Sequence, residues 1–93
     1  MAATIQVEKT DEGRFRVVVQ EGRGQTSHVV SLEDDYCRKL TGGKVGAEEL
    51  VRESFKFLLE REPKESILRQ FDLPVIGRYF PEYEREIKKR LGG

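Results

Sequence analysis

Apolar positions recur at helical spacing most clearly in EELVRESFKFLLERE, from Glu48 to Glu62. Leu50, Val51, Ser54, Phe55, Leu58 and Leu59 fall at i, i+3, i+4 and i+7 and predict one continuous stripe. Glu48, Glu49, Arg52, Glu53, Lys56 and Glu60 cover the other side, with acids and bases one turn apart. A helix with so marked an apolar stripe needs a surface to lie against. The N-terminal third alternates with period two, as half-buried strands do. Ile5 and Val7 face one way against Thr4, Gln6 and Glu8, and Phe15, Val17 and Val19 face one way against Arg14, Arg16, Val18 and Gln20. Between them Lys9-Thr-Asp-Glu-Gly13 is turn chemistry, with Gly13 suited to a left-handed conformation. Glu21-Gly-Arg-Gly24 predicts a second turn, and Gln25 to Leu32 a third strand rich in β-branched residues.

Ser31 then precedes Leu-Glu-Asp-Asp, so its hydroxyl is a candidate cap for a helix whose first turn is acidic. Tyr36, Cys37 and Leu40 supply that helix's apolar side, and Thr41-Gly42-Gly43 stops it. Beyond the central helix, Pro63 breaks the pattern, and Ile67, Leu68 and Phe71 predict another helical face across Lys64 to Phe71. Asp72-Leu73-Pro74 predicts a fresh helix start followed by a stripe of Val75, Ile76, Tyr79 and Phe80. After Pro81 a last helix, Glu82 to Leu91, turns Tyr83, Ile87 and Leu91 inward, with Glu84–Lys88 and Glu86–Arg90 as one-turn pairs. The predicted class is α+β in a single domain over 1–93. A three-stranded antiparallel meander (1–32) is followed by four helices (33–91) packed on one sheet face, with 92–93 as a tail.

Ninety-three residues suffice for a small core without disulfides or metal. Seventeen basic and seventeen acidic residues cancel, and they cancel within each half as well, seven against seven through Gly46 and ten against ten beyond it. A nucleic-acid binder usually carries a basic excess, so this balance lowers that expectation. One cysteine excludes an internal disulfide and fits a reducing compartment, and the start has no signal-peptide pattern. No apolar run approaches the roughly 18–20 residues that span a bilayer. The expected location is cytoplasmic.

From Thr26 to Arg61 the order is strand, short helix, glycine turn, longer helix. SHVVSLEDDYCRKL followed by KVGAEELVRESFKFLL resembles the ribbon-helix-helix family of dimeric DNA-binding regulators and antitoxins. That resemblance implies a strand paired across a homodimer and read into a DNA groove. The outward positions of the third strand are Ser27, Val29 and Ser31, none of them a strong base reader. The later run FLLEREPKESILRQFDLPVIGRYFPEYEREI resembles short bacterial proteins, a likeness that brings no activity with it.

Candidate chemistry is sparse. His28 and Cys37 are the only imidazole and thiol; as a nucleophilic pair they would need the fold to join them, and packing roles are expected for both. One His and one Cys match no zinc spacing, so no metal or cofactor is expected. Thr41-Gly42-Gly43-Lys44 lacks the first glycine and the following hydroxyl of a phosphate loop, with Arg38 and Val45 in those places. Gly92-Gly93 resembles the tail of ubiquitin-like modifiers, but it follows an amphipathic helix, where glycine ends helices routinely.

The remaining signal is aromatic: Phe71, Tyr79, Phe80 and Tyr83 cluster around two prolines within thirteen residues, bordered by Arg78 and Arg85. Aromatics and arginine are what interface hot spots favour. Tyr79 and Tyr83 are expected to keep their hydroxyls at the surface. The sequence therefore predicts a non-enzymatic interaction or regulatory module. It would meet a protein partner through a sheet edge, the third strand foremost, or through Phe71, Arg78, Tyr79, Phe80 and Tyr83. The alternative is a dimeric DNA-binding regulator or antitoxin using Arg14, Arg16 and Arg23.

Overall fold

A computed structural model describes residues 3–92. Three strands, β1 (Thr4–Asp11), β2 (Arg14–Glu21) and β3 (Gly24–Ser31), run as consecutive hairpins in an antiparallel meander. Gly13 has a φ of 67° at the first turn, which is what its place in the sequence predicts. At the second, Gly22 takes a φ of 60° as the first of two central residues, the arrangement of a type II′ hairpin turn. Phe15, Val17, Val19, His28, Val30 and Leu32 are buried on one face, while Arg14, Arg16, Gln20, Gln25 and Ser27 are exposed on the other.

The helices lie over the buried face. Helix α1 (Asp34–Thr41) ends on Gly42, whose φ of 64° and N–H bond to the Arg38 carbonyl close the last turn. Ser31 does not cap it: Ser31 is still in β3, and Glu33 stands at the cap position without a side-chain bond. Helix α2 (Ala47–Leu59) carries the predicted stripe, with Leu50, Val51, Ser54, Phe55 and Leu58 buried and Leu59 only partly so. Phe57 is fully buried as well, on the side away from the sheet. Its ring meets Tyr83 at 5.3 Å and Phe80 at 5.9 Å, and the Arg61 guanidinium covers it at 3.6 Å. Helix α2 is thus held between the sheet and the C-terminal helices, which buries two of its faces instead of one.

The stretch after α2 departs from the helical expectation. Lys64–Ser66 forms one 3₁₀ turn, and Gln70–Asp72 is a fourth strand, β4, running parallel to β3 opposite Val29–Ser31. Its cause is long-range. The His28 ring hydrogen-bonds the Leu68 carbonyl at 2.8 Å and the Val29 N–H donates to the Arg69 carbonyl at 2.7 Å, so this backbone is extended against the sheet. Among the described residues the sheet therefore has four strands in the order β1-β2-β3-β4, with β4 covering β3 along Val29–Ser31 and leaving Gly24–His28 without a strand on that side. The predicted start at Asp72 is a 3₁₀ turn (Leu73–Val75) running into a single helical turn, α3 (Ile76–Tyr79). Last comes α4 (Tyr83–Arg90), joined to α1 by a Tyr36 hydroxyl that donates to Glu84 at 2.9 Å and by a Lys39–Glu84 pair at 3.3 Å. Glu84 is thus turned to α1 and not to Lys88, whereas Glu86 and Arg90 do approach, at 3.9 Å. Gly92 has a φ of 76° and its N–H reaches the Lys89 carbonyl, as a helix-ending glycine does; Gly93 lies outside the described residues. Among the described residues no helix is long and apolar enough to cross a membrane.

Candidate functional site

The break at Pro63 and the return of the chain to the sheet open a groove of about 410 Å³ between the end of α2, the Ser66–Phe71 segment and α3. Leu58, Ile67 and Ile76, all nearly fully buried, form its floor. Phe71, Val75 and Phe80 are half-buried along it, and their positions are fixed by the core. Phe71 packs on Phe55 at 6.0 Å, and Phe80 meets Phe57 edge-on. The rim is unusual for its apolar exposure: Leu68 is 47% exposed and Tyr79 67%, the two large hydrophobic residues most open to solvent among the described residues. Glu62 and Ser66 are the polar members of the lining.

Three of the five residues expected to meet a partner are therefore together, namely Phe71, Tyr79 and Phe80. Arg78 is exposed on α3 but does not line the groove. Tyr83 faces inward, as the stripe of the last helix predicts, but its expected surface hydroxyl and partner contact are corrected. It is fully buried beneath, its hydroxyl 2.6 Å from Ser54 Oγ, and burial pushes its phenol well above the usual range. The sequence predicts Leu68 on a helical face with Ile67 and Phe71 and gives Glu62 no role; only the non-helical path through Ile67–Arg69 turns Leu68 outward. Comparison of the chain with models of known families, with curated proteins and with solved structures finds no match.

The sheet edges are partly obstructed. The antiparallel alternation, with Val29 already bonding outward to Arg69, leaves the backbone groups of Ile5, Val7 and Lys9 pointing away from β2. Yet β1 carries a register shift between Lys9 and Asp11, and Lys9 shares the side of the sheet that faces the helices; both are devices that discourage strand addition. At the other edge β4 covers Val29–Ser31, and the Lys64 ammonium sits over Gly24, where a Cβ would come within 2.9 Å of it. That ammonium bonds Glu65 at 2.8 Å, and the contact raises its pKa.

Arg14 and Arg16 lie on the open sheet face, in register with Asp11 and Glu8. Arg23 is at the far hairpin turn, roughly 20 Å along the strand from Arg16 at about 3.3 Å per residue. The three are not one patch. A second cleft, about 450 Å³, lies beside the start of α2; three of its four charged lining residues are engaged locally, Arg52 with Glu49 at 3.3 Å and Lys9 with Glu12 at 3.2 Å, and Glu48 is exposed to solvent. His28 has both ring nitrogens occupied, by the Leu68 carbonyl and by Thr26 Oγ1, and burial lowers its pKa. Nδ1 donates to the carbonyl, and because burial favours the neutral ring, Nε2 is then the acceptor for the threonine hydroxyl. The half-buried Cys37 thiol is pushed up, chiefly by burial. Neither residue is poised as a base or nucleophile.

Proposed function

We propose that this protein is an interaction module that binds a protein partner in the groove between α2 and α3. The observation that carries the reading is the convergence of Leu68 and Tyr79, both substantially exposed, on one apolar depression. Hydrophobic residues scattered singly on a surface need no explanation; these two are gathered at one apolar groove, and that clustering is what supports the reading. Aromatic side chains there give a large contact area at small entropic cost. A cytoplasmic location, suggested by the single cysteine, is compatible with this role.

The test is affinity co-purification from the native cells with wild type, a Leu68→Ser/Tyr79→Ser variant and a Gln6→Ala/Gln25→Ala variant of the open sheet face. A partner retained by the sheet-face variant and lost from the groove variant is expected; retention of every partner by the groove variant overturns the reading. A nucleic-acid role through Arg14, Arg16 and Arg23 has less to support it, because the open face sets Asp11 and Glu8 against the first two. Salt-sensitive duplex binding lost on changing those arginines would restore that role and the homodimer it requires.

A further inference from the structure

We infer that the segment received by the groove carries a basic residue beside its apolar anchors, and that Glu62 is the group that meets it. This rests on the groove being a protein-binding site. Six glutamates follow Leu59, and five have a basic partner within 4.0 Å: Glu60 with Arg61 and Arg90, Glu65 with Lys64, Glu82 with Arg61, Glu84 with Lys39, and Glu86 with Arg90. Glu62 is the sixth; it has no such partner among the described residues, and it is the one that lines the groove.

Its surroundings make that vacancy consequential. The side chain is half-buried beside Leu58, Ile67 and Phe80, so a partner laid over the groove removes more water from the carboxylate. Burying an uncompensated carboxylate is costly, whereas a cation placed against it in the same desolvated position recovers the loss. An apolar partner without a basic group is therefore penalised, and one with an acidic group is repelled. The size of the groove sets the other limit. At about 410 Å³ it lies at the small end of the roughly 300–1,000 Å³ spanned by ligand pockets, room for a few side chains of a short segment. Ser66 offers that segment one hydroxyl.

The test is selection of a displayed random dodecapeptide library on the intact protein. Synthetic copies of the enriched peptides are then titrated by fluorescence anisotropy, with the fold of each variant checked by circular dichroism. Enriched peptides are expected to combine apolar residues with Lys or Arg and to lose binding on Leu68→Ser. Glu62→Gln, which preserves size, is expected to weaken them roughly fivefold or more, about what one ion pair contributes. Glu62→Lys should reverse the preference, so that replacing the peptide's basic residue with glutamate restores binding. Groove-dependent peptides with no basic residue, or indifferent to Glu62→Gln, overturn this inference and leave the groove reading standing. Peptides insensitive to both Leu68→Ser and Tyr79→Ser, or no enrichment at all, overturn both. Binding of dodecylamine without any peptide enrichment assigns the groove to a small cationic amphiphile and likewise overturns the proposal.

Discussion

Replacing Tyr83 with phenylalanine removes one oxygen from a chain of hydroxyls in the middle of the protein. Ser54 Oγ is 2.7 Å from the Leu50 carbonyl, which can only accept, so the serine proton is committed there. The Tyr83 hydroxyl, 2.6 Å away, must then be the donor to Ser54. Tyr83→Phe loses one net hydrogen bond and leaves the serine proton satisfied, a cost of about 0.5–1.5 kcal/mol. Ser54→Ala instead strands the phenol of a residue with no solvent exposure, costing about 1–3 kcal/mol. In the double variant neither polar end remains, so its cost falls short of the sum by about 1 kcal/mol. Urea unfolding followed by circular dichroism, at unchanged m-value, measures all three, and each kcal/mol moves Tm by about 4–8 °C in a domain of this size. Single variants that add within about 0.3 kcal/mol would refute the bond, and with it the packing of α4 onto α2.

Stability should also fall on acidification below the ordinary histidine range. Burial holds His28 below 6.5, so the unfolded chain takes up its proton first as pH drops through 6.5. The stabilisation is complete above that value and declines below it until the folded-state pKa is reached; His28→Asn flattens this part of a pH 5–7 unfolding series. Gly42→Ala is expected to cost about 1 kcal/mol because its φ of 64° is strained for any side chain, and a rise in stability would count against the helix stop. Cys37 should alkylate several-fold more slowly than a free thiol at pH 8 and at the free rate in urea, since burial disfavours its thiolate; equal rates in both would contradict its placement.

How much of this was legible follows from how local each cause is. The meander was readable because period-two alternation and glycine turns are local, and Phe15, Val17 and Val19 fell where the pattern put them. The strand at Gln70–Asp72 was not, since Ile67, Leu68 and Phe71 have helical spacing. What overrides it is a histidine ring and an amide about forty residues upstream. Phe57 escaped notice because a single stripe was assumed for a helix that is covered on two sides. The stripe of the last helix puts Tyr83 inward, where it lies, but nothing local tells that its hydroxyl is buried too, because the partner, Ser54, is 29 residues away on another helix. The aromatic cluster announced the groove, and Phe71, Tyr79 and Phe80 do line it. Leu68 and Glu62 gain their meaning only from the turn at Pro63, which no local pattern specifies.

The central claim is tested most directly by a photo-crosslinking amino acid placed at position 68, with position 6 on the open sheet face as the comparison, irradiated in the native cells. Bound-partner geometry predicts one discrete protein adduct from position 68, lost when Tyr79→Ser is added, and none of the same mass from position 6. An adduct pattern that is the same at both positions, or that appears only at position 6, would contradict the groove as the binding surface.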